Sequence, residues 1–289
     1  MQAEQRGSGW SIKIAYFIYK LFGYRVLFYL LYPIAGFYYL LSPKLKVILK
    51  NYYSNIGLEF SELRYFEHLR HFAICMTDRF LSIIEPKTYS FDIEDSEFFH
   101  KELEKGVVLL MSHFGGWAVA PNCFLGGKVN AVMNEQMIES IKSIEDSLVK
   151  KREEKQKTNI IDLSEGTISV AIKTANALSN KEIVAMMGDR VGASKSSVVL
   201  KFFGKDAEFN RNPFDIAYKC KKDLVVSFIV FKSIRHYEYI YRFISFDHNR
   251  DIDEAVREAM EIYIKMYEDI LREYPYQWFN LYNFWLEDR

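Results

Sequence analysis

The stretch Val107-Val-Leu-Leu-Met-Ser-His-Phe-Gly-Gly-Trp-Ala118 decides the fold. It opens with a short apolar run that begins with β-branched residues, a pattern typical of a strand buried on both faces. His113 follows where the apolar run ends, and in an open α/β sheet ligands bind beyond the carboxyl ends of the strands. A titratable ring there is a candidate general base, although a histidine that only hydrogen-bonds at a strand end would give the same pattern.

The glycines after His113 also belong to this candidate site. Gly115 and Gly116 permit a tight turn and let a substrate approach the backbone. Trp117 begins a short apolar segment, predicted to be helical as far as Leu125. We therefore expect Gly115, Gly116 and Trp117 to bind substrate beside the catalytic histidine.

The rest of the chain alternates between strand and helix patterns. Apolar runs predict further strands at residues 128–133, 159–163, 183–187, 198–203, 224–231 and 237–246. Periodic segments predict helices at residues 94–105, 137–157, 165–179 and 253–274. Repeated strand–helix–strand units indicate an α/β fold with a mostly parallel central sheet flanked by helices.

Residues 10–41 form an aromatic and apolar N-terminal region. Its longest uncharged run, residues 26–43, lies at the lower edge of the length of about 20 residues that a membrane span needs. A short span, an in-plane interfacial helical hairpin and a buried helix pair all remain open. The many tyrosine and phenylalanine rings favour membrane contact. We divide the chain into membrane-anchoring helices at residues 1–50 and an α/β domain at residues 51–289.

Composition excludes several classes of protein. The 289 residues carry a net charge of zero, so nothing indicates a nucleic-acid partner. The three cysteines are widely spaced, which argues for a reducing compartment rather than a disulfide or zinc framework. No G-x-S-x-G, G-x-G-x-x-G, Walker or H-E-x-x-H motif occurs, and no secretory signal is recognisable. His68 and His71 lack a third ligand, so we expect neither a metal nor another cofactor.

Polar residues at other strand ends complete the candidate site. Asp189 follows the predicted strand at residues 183–187 and is the best carboxylate partner for His113. Arg190 beside it can bind a phosphate or a carboxylate, unless the two residues merely pair with each other. Asn134 after another strand and Arg211 before a helix are expected to contact substrate.

Five segments resemble the lysophospholipid acyltransferase superfamily, and in particular the bacterial late acyltransferases of lipid A synthesis. They are Glu4-Gln-Arg-Gly-Ser8, Phe72-Ala-Ile-Cys-Met-Thr-Asp-Arg79, Ser112-His-Phe-Gly-Gly-Trp117, Gly188-Asp-Arg-Val191 and Tyr276-Gln-Trp-Phe-Asn-Leu-Tyr-Asn-Phe-Trp285. The resemblance implies a membrane-associated acyltransferase at the cytoplasmic face of the bacterial inner membrane. It implies an acyl carrier protein or acyl-CoA donor, a lipid-like acceptor and His113 as general base.

One residue departs from the family pattern. The family motif places an acid five residues after the histidine, where this chain has Ala118. Loss of the orienting carboxylate from a related triad lowers turnover by about 10⁴. Either another carboxylate, best Asp189, has taken over this role, or the reaction is slow, or the chain is a non-catalytic lipid-binding relative.

Overall fold

The fold is built on a seven-stranded sheet in a computed structural model, which describes residues 9–123, 125–133, 158–191 and 196–289. The strands are β1 (Ser90–Ile93), β2 (Val108–Met111), β3 (Val129–Met133), β4 (Asn159–Asp162), β5 (Ile183–Met187), β6 (Ser197–Phe202), β7 (Lys205–Asn210), β8 (Leu224–Ser233) and β9 (His236–Ile244). The sheet order is β1-β9-β8-β2-β5-β3-β4, and only β8 and β9 pair in an antiparallel sense. The expected mostly parallel α/β fold is therefore confirmed.

Helices cover the sheet. They are α1 (Gly9–Leu41), α2 (Pro43–Asn55), α3 (Glu62–Ile84), α4 (Ser96–Leu103), α5 (Ala120–Cys123), α6 (Thr167–Ser179), α7 (Asn212–Lys219) and α8 (Ile252–Glu273). Short 3₁₀ turns lie at Pro86–Thr88, Leu163–Glu165, Pro275–Gln277 and Leu286–Asp288. The helix predicted at residues 137–157 lies outside the described residues.

Strand β2 lies at the centre of the sheet and is buried on both faces. Because successive side chains of a strand point to opposite faces, Val108 and Leu110 enter one apolar core and Leu109 and Met111 enter the other. Each of these side chains is at least nine-tenths buried. The unbroken apolar run in the sequence thus reports a strand with hydrophobic layers on both sides.

The N-terminal helix α1 packs one face against the domain and leaves the other exposed. Tyr24, Leu27 and Leu31 are buried, and they join the core that also contains residues of α3 and the sheet. At Gly23 the helix is interrupted by a left-handed backbone conformation (φ 78°). The segment Ile14–Leu41 has the length and apolar composition of a membrane-crossing helix.

The strand expected at residues 198–203 is present as β6, which pairs with β7 in a separate antiparallel hairpin outside the central sheet. The helix expected from Glu165 begins instead at Thr167, after Gly166 (φ 91°), and the residues before it form a 3₁₀ turn. In that turn Asp162 caps the backbone N–H of Ser164.

The C-terminal segment, residues 274–289, closes the fold over the carboxyl edge of the sheet. Trp278 is fully buried and stacks on Tyr52 of α2 with ring centroids 4.2 Å apart. Trp285 is also buried and donates from its indole to the carbonyl of Phe202. This segment carries Phe279 and Asn280 to the ends of β2 and β5.

Candidate active site

His113 and Asp189 lie side by side at the carboxyl edge of the sheet. Strands β2 and β5 are parallel neighbours, with Met111 opposite Met187. Each side chain of the pair therefore follows its strand by two residues at the same edge. The imidazole Nδ1 lies 3.0 Å from one carboxylate oxygen of Asp189 and 3.2 Å from the other. The expectation that the two residues meet at one site agrees with this geometry.

Asp189 is completely buried and surrounded by donors. Its Oδ2 accepts the backbone N–H of His113 at 2.7 Å and the side-chain N–H of Asn280 at 2.7 Å. The hydroxyl of Tyr267 on α8 lies 3.5 Å from the same oxygen. A buried carboxylate with this many donors is stabilised in its ionised form.

The arrangement assigns a tautomer to His113. An ionised carboxylate only accepts hydrogen bonds, so Nδ1 carries the proton that faces Asp189 and Nε2 is left with a free lone pair. The imidazole is 19 % exposed, whereas Asp189 has no exposed surface. Only the histidine therefore reaches the surface, with Asp189 behind it, which is the geometry of an oriented general base.

Electrostatics keep the pair in the states that a base requires. Burial lowers the pKa of His113 below its ordinary value, and the positive charges of Arg190 and Arg79 lower it further, although Asp189 opposes them. Burial by itself raises the pKa of Asp189, but the nearby His113, Arg190 and the hydrogen bonds outweigh it, so the net pKa lies below the usual value. At neutral pH the imidazole is accordingly neutral and the carboxylate ionised.

Gly115 and Gly116 fit the loop tightly against the sheet. The N–H of Gly115 donates to the carbonyl of Gln277 at 2.9 Å, and the N–H of Gly116 donates to that of Ile229 at 2.8 Å. Gly115 has φ +50°, and a Cβ on it would lie 2.0 Å from the Ile229 oxygen. A Cβ on Gly116 would lie 2.5 Å from the ring of Tyr237. Both N–H groups are thus occupied by protein carbonyls, and the expected contact of these glycines with substrate stays a prediction.

Arg190 is bonded to the C-terminal segment. Its Nε donates to the side-chain oxygen of Asn280 at 2.6 Å, and an Nη donates to the carbonyl of Phe279 at 3.0 Å. The guanidinium also lies over the ring of Tyr282, 5.6 Å from its centroid. Since Asn280 binds Asp189 in turn, Arg190 supports the pair through one intermediate residue.

An aromatic wall stands beside the imidazole. The ring of Trp117 lies 5.5 Å from that of His113 and 5.9 Å from that of Phe279. Ala118 is half-buried in the same loop, and its carbonyl accepts a hydrogen bond from the side chain of Asn122. The methyl group of Ala118 offers His113 no acid, so among the described residues Asp189 is the carboxylate bonded to the imidazole.

A further predicted contact residue, Arg211, is not brought to this pair. The guanidinium of Arg211 is bonded to the carboxylates of Asp215, at 2.9 Å, and Asp253. Asn134 lies outside the described residues. The substrate contacts expected for Asn134 and Arg211 stay predictions.

Sequence reasoning missed Asn280 and Tyr267. Asn280 lies in the family-like C-terminal block, which was a usable signal, but nothing in the sequence places its amide beside Asp189. In the sequence, Tyr267 cannot be distinguished from the other buried positions of the amphipathic helix α8. The contribution of both residues depends on long-range packing.

Comparison with known proteins adds a family to this geometry. The family model described as bacterial lipid A biosynthesis acyltransferase matches residues 66–287, which is more than half of the chain. The matched range includes His113, Asp189 and the C-terminal segment. A search of curated proteins found no match.

Proposed function

The chain belongs to the family of bacterial lipid A biosynthesis acyltransferases, and from this we propose that it transfers an acyl group from a thioester donor to a lipid-like acceptor. The donor is an acyl carrier protein or acyl-CoA, and the acceptor group is a hydroxyl or an amine. The reaction takes place at the cytoplasmic face of the bacterial inner membrane. The observation that carries the proposal is the contact between His113 Nδ1 and the buried carboxylate of Asp189.

In the proposed mechanism, Nε2 of His113 removes the proton from the acceptor hydroxyl or amine. The acceptor oxygen or nitrogen attacks the thioester carbonyl, and a new carbon–oxygen or carbon–nitrogen bond forms. The attack gives a tetrahedral intermediate. When this intermediate collapses, the carbon–sulfur bond breaks, and the imidazolium returns the proton to the departing thiolate. Asp189 holds the tautomer and stabilises the imidazolium during these steps. In this mechanism Asp189 replaces the acid that Ala118 lacks.

The test compares lipids and turnover in matched variants. Lipids of cells that lack the protein are compared by mass spectrometry with those of cells that express the wild type, His113→Ala or His248→Ala. His248 is an exposed histidine, so its variant is the control for loss of an imidazole. We expect one acylated lipid to depend on the wild type and on His248→Ala but to be absent with His113→Ala. An acylated product that persists in His113→Ala would remove His113 from the mechanism.

Membrane contact is proposed to run through the exposed face of α1. Large apolar side chains there are solvent-exposed, namely Phe17, Leu21, Phe22, Val26, Tyr29, Ile34, Phe37, Leu40 and Leu41. Because the opposite face is packed on the domain, we propose that α1 lies in the plane of the interface rather than crossing the bilayer.

Membrane contact is tested on the full-length protein. Phe17→Glu with Leu21→Glu places two charges on the exposed face of α1 and is expected to release the protein from sedimented membranes. Ile168→Glu with Ile172→Glu makes the same change at exposed positions of α6 and is the control. Equal sedimentation of both double variants would exclude α1 as the contact.

Ala118, in place of the motif acid, is the one observation that favours a second function, lipid binding without catalysis. A relative without its motif acid would bind lipid without transferring an acyl group. Single-turnover assays with acyl-CoA and with acyl carrier protein, in which release of free thiol is followed, separate the two functions. Lipid binding without thiol release from either donor would support the non-catalytic relative.

A further inference from the structure

An open cavity of about 350 Å³ lies between α1, the end of α3 and the turn that joins β8 and β9. Its lining includes Tyr19, Lys20 and Gly23 from α1, Glu85 after α3, and Arg235 from the turn. None of these residues belongs to the His113–Asp189 pair or to its hydrogen-bond partners. The interruption of α1 at Gly23 lies in the wall of the cavity.

The side chains that line the cavity sum to one net positive charge. Lys20 and Arg235 contribute two cations, and Glu85 contributes one carboxylate. Arg235 lies 3.4 Å from Glu85, whose side chain is 42 % exposed, so water screens this pair. Lys20 is exposed and makes no ion pair within the described part of the chain. One unbalanced positive charge matches the single negative charge of a phosphodiester.

Arg235 is held rigidly and is not saturated with partners. Its guanidinium lies over the rings of Tyr24 (4.4 Å), Tyr19 (5.5 Å) and Tyr89 (5.5 Å). One Nη donates to the hydroxyl of Tyr19 at 3.1 Å. The Nε is shielded from solvent and finds no acceptor among the residues that the structure describes. A positioned guanidinium with spare donors is well suited to phosphate oxygens.

Exposed apolar side chains near Lys20 on α1 favour a lipid over a free phosphate. Phe17 precedes Lys20 by three residues, so the two side chains are neighbours on the helix surface. Leu21 follows Lys20 directly, and Phe17 and Leu21 are 63 % and 59 % exposed. Acyl chains attached to a phosphate at Lys20 would cover these apolar side chains.

We propose that this cavity binds the phosphodiester of an anionic membrane phospholipid, with Lys20 and Arg235 on the phosphate oxygens and acyl chains along Phe17 and Leu21. The bound lipid fixes α1 at the membrane surface. A zwitterionic lipid has no net charge and would leave the cavity charge unbalanced. The proposal rests on the membrane contact of α1 but is independent of acyl transfer.

Native mass spectrometry of the full-length protein in detergent provides the test. Phosphatidylglycerol and phosphatidylcholine are titrated separately against the wild type, Lys20→Gln, Arg235→Lys and Arg25→Gln. Arg25 is exposed on the same helix but does not line the cavity, so its variant loses the same charge elsewhere. Thermal unfolding of each variant checks that it is folded, and Arg235→Lys keeps the charge while changing the donor geometry.

We expect the wild type to bind one phosphatidylglycerol about tenfold more tightly than phosphatidylcholine, a difference of about 1.4 kcal/mol, because the choline cation cancels the charge of the phosphate. Lys20→Gln should lose most of this preference, and Arg25→Gln should keep it. Arg235→Lys should weaken binding of both lipids, because a lysine keeps the charge but cannot reproduce the donors of the guanidinium. Equal losses in Lys20→Gln and Arg25→Gln would overturn the cavity as the site. If inorganic phosphate or glycerol 3-phosphate binds as tightly as the lipid, the lipid assignment is overturned. Neither outcome involves acyl transfer, so neither bears on the proposed reaction.

Discussion

Asp189 joins three separate parts of the chain at a single carboxylate. It accepts from the backbone of His113 after β2, from Asn280 in the C-terminal segment and, at longer range, from Tyr267 on α8. Since the carboxylate has no exposed surface, water cannot substitute for any of these donors. The same residue therefore has two tasks, to orient the imidazole and to hold the loop that carries it.

The first prediction concerns the tautomer of His113. Asp189→Asn keeps the shape of the side chain, but its amide can donate to Nδ1 and so move the imidazole proton to Nε2. We expect acyl transfer to fall by at least about tenfold and by up to about 10⁴, the loss seen in a related triad. Single-turnover thiol release measures the rate. Asp206→Asn on the exposed β6–β7 hairpin is the control, and full activity in Asp189→Asn would leave Asp189 with a structural role alone.

The second prediction concerns the acid limb of the pH profile. Burial lowers the pKa of His113, so the rate should fall only when the pH drops below the ordinary range of histidine, near 6.5. Arg79→Gln removes a positive charge that lowers this pKa and should move the acid limb to higher pH. Rates from pH 4.5 to 8 test this, with Arg257→Gln on the surface of α8 as the control. If the acid limb of Arg79→Gln lies at the same pH as that of the wild type, protonation of His113 does not cause the fall in rate.

At the scale of elements, Asp78 connects α1 to the loop that carries His113. The hydroxyls of Tyr24 on α1 and Tyr237 on β9 each donate to its carboxylate at 2.6 Å, and that of Tyr89 does so at 3.0 Å. The ring of Tyr237 in turn packs on Gly116. This buried cluster ties α1 to the loop of His113.

The third prediction follows from the pKa of Asp78. Burial raises this pKa to about 6, although the hydrogen bonds from Tyr237, Tyr24 and Tyr89 oppose the rise. The folded state therefore binds the proton more tightly than the unfolded state, whose pKa is about 3.9. Protonated Asp78 therefore stabilises the folded state. This stabilisation is complete below about pH 4 and is lost as the pH rises through about 6.

Chemical denaturation between pH 4 and pH 7.5 measures this effect. The free energy of unfolding of the wild type, relative to that of Asp78→Asn, should decline as the pH rises through the window. Asp206→Asn should follow the wild type throughout, because it lies on the exposed hairpin and not in the cluster. Parallel curves for the wild type and Asp78→Asn would show that Asp78 does not titrate in this range.

At the scale of the whole molecule, the His113 loop is clamped between the sheet and the C-terminal segment. Phe114 bridges to Trp278, the N–H of Phe279 donates to the carbonyl of His113, and Gly115 donates to Gln277. The side chain of Gln277 closes the clamp by bonding both the N–H and the carbonyl of Phe231 on β8. Residues far apart in sequence thus fix the position of one imidazole.

The fourth prediction tests this clamp. Gly115→Ala would place a Cβ 2.0 Å from the carbonyl oxygen of Ile229, in a left-handed backbone conformation. Because a strand carbonyl cannot move aside, we expect a loss of more than about 3 kcal/mol in the free energy of unfolding. Gly57→Ala also has a positive φ (+77°) but open space around the new Cβ, and should lose only about 1–2 kcal/mol. Equal losses would show that the positive φ, and not the steric overlap with the Ile229 carbonyl, causes the destabilisation by Gly115→Ala.

The sequence by itself determined the architecture and the principal pair of the site. Apolar runs such as that of β2 are legible because a strand buried on both faces admits almost no polar side chains. His113 and Asp189 could be paired in advance because parallel strands end at the same edge of a sheet. The family-like blocks also indicated the acyltransferase family, which the comparison confirmed.

Only the tertiary structure decided what surrounds that pair. The amide of Asn280, the hydroxyls on Asp78 and the carbonyl above Gly115 come from parts of the chain that no local pattern connects to the sites they serve. For the same reason only the structure shows that β6 pairs with β7 outside the central sheet, since strand propensity does not specify a partner. Hydrophobic periodicity records which side chains are buried, whereas the contacts between distant segments are determined only when the packed chain brings them together.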